Sequence, residues 1–338
     1  AMPSRQNTHI AIPSWDSLDD LVGRLLAVCG EAIGIRTGMA IEGLHSLKPH
    51  SDGHHVLRFD YVWASDRQPL VARLYSSSRS PWARSEPPVS KAQREFSLLR
   101  WLARQGLPVP DPIWLDVEGV ALDSPAVLFP AMPGRGWQRL APDLETAARA
   151  TFRRLAFTQA RIHAVKGAAW PGHGRLPTLP LDTVLAFLND LASELEDSSA
   201  QALLDELLAL RVFIHELDPV LVHGDYQLDN LLFEHGEISA VLDWEAAAWA
   251  DPRWDIAYAR CGLGPVADEY LALYEVASGR SLPHIHFWDA LVAIRAMILK
   301  RWYAREQPLE TLPRERARIA TCEEIARKAL HLAHGELP

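Results

Sequence analysis

The chain is poor in cysteine, in runs of positive charge and in long uninterrupted apolar stretches, and each shortage removes a class of function. Its 338 residues hold three cysteines, Cys29, Cys261 and Cys322, with neither paired spacing nor the density of a disulfide-stapled domain. Reduced thiols inside a cell are the expectation. Lys and Arg number 34 against 43 Asp and Glu, a formal charge of -9, and no basic block offers the footprint of a nucleic-acid binder. A local positive patch, a bridging metal or oriented amides still leave a phosphate-bearing ligand open. The run "FWDALVAIRAMILKRWY" carries charges too often for a membrane span, and the start "AMPSRQNTHIAIPSWDS" lacks a basic region followed by an apolar export segment. The expectation is a soluble, cytoplasmic protein with neither nucleic acid nor membrane as partner, its oligomeric state open. No GxSxG elbow or coherent Cys/His arrangement favours covalent hydrolysis. His284 and His286 in "HIHFW" form too incomplete a ligand set for a zinc enzyme and read as a surface polar pair.

What is present begins with apolar content of 48%, enough for a substantial core in two domains or lobes. Ser17 opens an expected helix, with Asp20 in its first turn and Leu18, Val22, Leu25 and Leu26 as its apolar stripe. "HHVLRFDYVWA" and "PLVARLYSS" read as strands from their β-branched and aromatic content, joined by a turn at "SDRQP". "KAQREFSLLRWLARQG" reads as a helix ending near Gly106. Glu95 shares a face there with Leu98, Leu99 and Leu102, so its acid is expected to point inward, with Arg73 as partner. The competing reading has Glu95 favouring the helix N-terminus and Arg73 snorkelling from an edge strand.

"AVLFPAMPGRG" marks a change of domain near Gly134. Beyond it, "ETAARATFRRLAFTQARIHAV", "LDTVLAFLNDLASEL", "QALLDELLALRVFIHEL" and the last two long runs carry helical patterning. The predicted architecture is α+β: a strand-bearing N-terminal lobe over 1–133, with a leading helix and an inter-lobe linker, and a mainly helical lobe over 134–338. A cleft at their junction is the expected ligand location. In the second lobe "LVHGDYQLDNLLFEHGEISAVLDWE" brackets acids tightly between apolar runs. Leu231–Phe233 and Ile238–Leu242 read as a hairpin turning at "EHG", which carries Asp243 back toward Asp225 and Asn230. Such an oxygen-rich set suits Mg2+ rather than Zn2+. A buried polar network that merely fixes the loop is the alternative.

These motifs resemble the aminoglycoside phosphotransferase-like family of the protein-kinase-like fold, over most of the chain. "HGDYQLDN" is similar to that family's catalytic loop, "LDWE" to its second metal-binding segment, and "DPRWDIAYA" to a supporting segment. The resemblance implies a bilobal protein-kinase-like fold and a small-molecule O-phosphotransferase, moving the terminal phosphate of ATP or GTP to a hydroxyl acceptor such as an antibiotic or a hydroxylated metabolite. It implies that Asp225 orients or deprotonates the hydroxyl, that Asn230 and Asp243 hold Mg2+, and that His223 and Asp255 support the loop. Phosphoryl transfer needs alignment and charge neutralisation more than a covalent nucleophile, in keeping with those groups. In the N-terminal lobe it implies phosphate contact by Arg73, where the fold commonly has lysine, paired with Glu95. Ser51, Gly53 and His54 in "HSDGHH" are read as a phosphate cover or an ordinary hairpin turn. Phe129, Ala131 and Met132 of "LFPAM" are read as a purine-facing linker or as core strand. Asp229 is either a metal or substrate contact or a solvent-facing acid. Trp249, Trp254, Trp288, Trp302 and Tyr303 offer apolar surface to an acceptor or pack in the core. The alternative function is a nucleotide-binding pseudokinase or regulatory protein.

Overall fold

The computed structural model describes residues 17–47, 54–76, 81, 87–137, 144–166, 170, 176–305 and 312–336, with backbone only at 144–150. They fall in two compact units, Ala1–Arg100 with Pro110–Ala131, and Trp101–Val109 with Met132–Pro338. The first unit carries the sheet and the second is mainly helical, an α+β arrangement.

In the first unit, α1 (Leu18–Ile33) starts where the Ser17 side chain accepts from the Asp20 amide at 3.1 Å, satisfying one of the orphan donors of a helix start. Its buried stripe is Leu21, Leu25, Val28 and Cys29, while Leu18 is 52% exposed, so the stripe is rotated from the expected one. Five antiparallel strands follow in the order β1-β2-β3-β5-β4: β1 (Ala40–Leu47), β2 (His55–Trp63), β3 (Asp66–Leu74), β4 (Trp114–Asp116) and β5 (Ala126–Pro130). Leu57, Phe59, Tyr61, Leu70, Ala72, Leu74 and Leu128 meet the stripe of α1 in one core. The β2–β3 turn is two residues, Ala64 and Ser65, with Ala64 at φ 51°. The expected "SDRQP" turn therefore lies mostly inside β3. Nothing in the apolar pattern foretold β1, an edge strand whose register slips between Glu42 and His45.

Helix α2 (Pro88–Arg104) buries Leu98, Leu99 and Leu102, and Glu95 with them. The end of α2 and the loop after it, residues 101–109, belong with the second unit rather than with 1–133: the Val241 amide donates to the Pro108 carbonyl at 2.7 Å.

The second unit assembles α3 (Leu144–His163), α4 (Leu181–Glu194), α5 (Ser198–Leu210), α6 (Arg253–Leu263), α7 (Ala267–Ser278), α8 (Ile285–Ala304) and α9 (Pro313–Glu336). Among them run short strands: β6 (Arg135–Gly136), β7 (Val220–Val222), β8 (Leu231–Glu234), β9 (Glu237–Val241) and β10 (Ala248–Ala250). Leu155, Gln159 and Ile162 are buried on α3, as their spacing predicts. Trp288 and Trp302 are core side chains, 2% and 1% exposed, which removes them as acceptor contacts. His284 and His286 stand at the start of α8 rather than on an extended segment. No helix among the described residues is long and apolar enough to cross a membrane.

Candidate functional site

Two strand pairings bring the acidic segments together. β7 pairs antiparallel with β10, Val222 opposite Ala248, and β8 pairs with β9, Leu231 opposite Val241. The β8–β9 turn is His235-Gly236, with φ of 50° and 80°, the two positive angles a two-residue hairpin needs. Loop 223–230 leaves β7 and enters β8; segment 242–247 leaves β9 and enters β10. Fixing both ends of both loops lays them side by side, and the Leu242 amide donates to the Asn230 carbonyl at 2.8 Å.

His223, fully buried, ties the two segments. Its Nδ1 accepts from the Asp225 amide at 3.2 Å, and its Nε2 donates to the Leu242 carbonyl at 2.8 Å. One imidazole thus bridges the residue carrying one acid and the residue before the other. Its ring lies 4.7 Å from that of Trp244. Behind it, the buried Asp255 carboxylate accepts from the His223 amide at 2.7 Å and the Gly224 amide at 2.8 Å. Asp255 is itself met by His163 Nε2 at 3.3 Å, and His163 Nδ1 lies 2.6 Å from the Tyr274 hydroxyl. A carboxylate in a dry interior needs such donors. Gly224, at φ 83°, passes so close to the Ala246 carbonyl that a Cβ would lie 2.2 Å from its oxygen. Only glycine fits there.

Asp225, half-buried, accepts at Oδ2 from Asn230 Nδ2 at 2.9 Å, and Gln227 Nε2 donates to both its oxygens at 3.0 Å. Asn230 Nδ2 also donates to the Asp225 carbonyl at 2.9 Å, so its amide nitrogen is committed. Its Oδ1 takes no hydrogen bond from a described residue. Lost hydration raises the Asp225 carboxyl above the ordinary aspartate value; the Asp243 charge raises it further, while His223, Asn230 and the Arg295 charge oppose the rise. Asp243 adopts a left-handed backbone, φ 64° and ψ 66°, uncommon outside glycine and of a kind concentrated at functional sites.

Mg2+ is tested by the donor set. Among the described residues no group of three His, Cys, Asp or Glu side chains could hold a metal. The Asp243 carboxylate and the uncommitted Asn230 amide oxygen fit a cation that takes few protein ligands and completes its shell with phosphate and water. Among the described residues the same count leaves no self-sufficient protein cage.

In the first unit, Arg73 reaches Glu95 Oε1 at 3.2 Å, both side chains under 9% exposed, and the Tyr75 hydroxyl donates to Glu95 Oε2. The inward Glu95 reading therefore holds over the helix-start alternative. Phe129 is a buried β5 residue opposite Val71, and the Ala131 amide donates to the Pro69 carbonyl at 2.9 Å. Met132, half-buried, opens the second unit. Ser51 and Gly53 lie outside the described residues, while His54 is buried. Asp229 is exposed. Gln227, His163 and Arg295 were not anticipated. Gln227 stands inside the quoted motif and was readable there; the other two lie 62 residues before and 70 after Asp225 with no local signal.

The phosphotransferase enzyme family model matches residues 46–291. Mouse acyl-CoA dehydrogenase family member 10 is 27% identical over 304 residues, covering 78% of this chain and 27% of that protein. The chain thus spans about a quarter of the length of the curated relatives it matches. The apoenzyme of macrolide 2'-phosphotransferase from Brachybacterium faecium is 22% identical, with TM-score 0.59 over 89% of this chain and 97% of that one. A thermostable mutant of an aminoglycoside phosphotransferase, in ternary complex with AMP-PNP and hygromycin B, is 16% identical, with TM-score 0.60 over 90% and 97%. At these identities the two structures show a shared protein-kinase-like fold. With nearly three quarters of its length matched, the chain belongs to the phosphotransferase enzyme family.

Proposed function

We propose that the protein is a small-molecule kinase that transfers the terminal phosphate of ATP or GTP to a hydroxyl group with Mg2+. The observation that carries this is the Asp225–Asn230 pair: one amide nitrogen orients the carboxylate while its own oxygen is left for a cation, beside Asp243. Asp225 is assigned to the acceptor. As the alcohol oxygen forms its bond to the terminal phosphorus, the bond from phosphorus to the bridging oxygen breaks, the nucleoside diphosphate leaves, and the alcohol proton passes to Asp225 Oδ. A raised proton affinity suits that task. Gln227, which donates to both Asp225 oxygens, must yield one of them to the alcohol.

Asn230 and Asp243 would hold the ion, which when bound neutralises charge on the phosphates. His223 and Asp255 position the loop through the bonds described. In the first unit, Arg73 is assigned to phosphate contact with Glu95 as its anchor, Ser51 and Gly53 to the phosphate cover, and Phe129, Ala131 and Met132 to the purine. A complex with a nucleotide analogue, as in the AMP-PNP-bound relative, supports a nucleotide donor. Solubility and a cytoplasmic setting accord with the composition and the charge.

The test is a screen of ATP and GTP with diverse hydroxylated compounds, read by mass detection of the phosphorylated product. A product gaining one phosphoryl group, lost on Asp225→Asn, is expected. Nucleotide binding without transfer to any acceptor would turn the assignment toward a pseudokinase.

A further inference from the structure

A cavity of about 390 Å³ opens in the second unit between α3, β9 and the loop that follows α2, and none of the residues assigned to phosphate transfer lines it. Helix α3 gives it Arg154, Phe157, Thr158 and Arg161, which steps of three and four residues place on one face. Leu107 of the loop and Ile238 of β9 complete its apolar wall.

Two of these side chains have structural work. Arg154 Nε and Nη2 both lie 2.7 Å from Glu237 Oε1, which ties α3 to β9, and Arg161 Nη2 donates to the Gly106 carbonyl at 2.5 Å, which ties α3 to the loop. Those ties do not account for the rest of the wall. Phe157 is 47% exposed although it lines a concave surface, and Thr158 is 8% exposed while its hydroxyl has no hydrogen-bond partner among the described residues. A hydroxyl enclosed to that degree normally has a partner. Arg161 is exposed and faces no carboxylate among the described residues; one bond to a neutral carbonyl leaves most of its five N–H donors unused. A guanidinium held at one edge is prepared to take a carboxylate at another through two parallel N–H bonds. Two arginines against Glu237 leave the lining residues one positive charge in excess, the complement of a single carboxylate. The volume is in the range of small-molecule sites.

We propose that this cavity binds a small carboxylate with an apolar body, its oxygens on Arg161 and the Thr158 hydroxyl and its body on Phe157, Leu107 and Ile238. The inference goes beyond the phosphotransferase reading and stands without it, because no residue of the proposed transfer step takes part. The occupant is therefore not the phosphate acceptor.

The experiment is calorimetric titration of the full chain with hexanoate, and with acetate, hexanamide, hexylamine and hexyl phosphate as its shortened, neutral, cationic and phosphate counterparts. Hexanoate should saturate one site, with acetate and hexanamide at least about tenfold weaker and hexylamine not bound. Hexyl phosphate should bind no tighter than hexanoate, since the excess charge is single; tighter binding overturns the carboxylate assignment. Arg161→Gln should weaken hexanoate at least about tenfold, with part recovered in Arg161→Lys, and Thr158→Val, which keeps the shape, should weaken it about threefold or more. Because Arg161 also ties down the loop, Glu237→Gln supplies an independent test. It releases Arg154 and leaves two unopposed charges, so hexanoate should bind about threefold tighter, the opposite of what a mere loosening of α3 from β9 would give. Asp225→Asn should leave the binding unchanged, which separates this site from the acceptor's. No saturable binding of hexanoate, equal binding of hexanamide, or indifference to both Arg161→Gln and Thr158→Val overturns the proposal. So does weaker binding in Glu237→Gln or its loss in Asp225→Asn.

Discussion

The surroundings of Asp225 do not favour its charged form, whereas the proposed role as proton acceptor asks for that form. Its carboxyl is raised above the ordinary aspartate value of 3.8 by lost hydration. A group raised in the folded state contributes stability at low pH and withdraws it as pH rises through the folded value. The charged form is therefore a burden to the fold. Asparagine imitates the protonated form and can still accept from Asn230, so Asp225→Asn should leave thermal unfolding at pH 7 unchanged or later while cutting turnover about 100-fold or more. A lowered melting temperature would contradict the sign. Gly224 is the opposite case, with no chemistry and no latitude. Gly224→Ala meets both a left-handed φ and the Ala246 carbonyl, and should cost about 2 kcal/mol or more in denaturant unfolding. Legibility at this scale followed distance along the chain. Asp225 and Asn230 stand five apart, and Asp243 returns through a turn that announces itself with glycine. Arg295 and His163 arrive on separate helices, and only tertiary packing shows them.

Helices α8 and α9 illustrate what an element's pattern does and does not disclose. Their apolar spacing was readable, because each buries a long run against neighbours: Phe287, Leu291, Ile294 and Ile298 on one, Ile319, Ala326 and Leu330 on the other. The polar clasp at their ends was not. His286 Nδ1 lies 3.2 Å from Asp289 one turn on, its Nε2 lies 3.7 Å from Glu336 at the far end of α9, and Arg260 of α6 also faces Asp289 at 3.0 Å. The Asp289 bond, with the Glu336 and Asp289 charges, lifts the imidazole above its ordinary 6.5 against burial and the Arg260 charge. The raised group gives its full stabilisation below about pH 6.5 and loses it as pH climbs through the folded value. His286→Gln should thus flatten the fall in melting temperature between about pH 6 and pH 8, by a modest amount for a partly exposed clasp. An unchanged slope would remove the clasp from the pH dependence. Strands show the same limit from the other side: β7 and β10 are three residues each, too short for a period, yet they position the site.

For the molecule as a whole, the order of strands before helices was legible, since β-branched and aromatic runs give way to long amphipathic ones. The division of the chain was only partly so. Residues 101–109 are the end of α2 and the loop after it, yet they pack with the second unit, where the Val241 amide donates to the Pro108 carbonyl, a preference that lies in β9 and not in the segment's own residues. The phosphotransferase reading has its own consequence at this scale. A ligand that binds only the native protein stabilises it by mass action, about 2.7 kcal/mol at roughly 100 times its Kd. Mg2+ with ATP or GTP should therefore raise the melting temperature, and a chelator should remove most of that rise. Asp243 is the residue to change, because asparagine tolerates the left-handed backbone found there and removes only the charge. Asp243→Asn should abolish the metal-dependent part of the shift and keep whatever the nucleotide gives alone. The measurement is a set of thermal scans with nucleotide and Mg2+ or chelator, on both forms. Equal shifts with and without chelator in the unaltered chain would separate the nucleotide from the carboxylates and leave Asp243 without its assigned work.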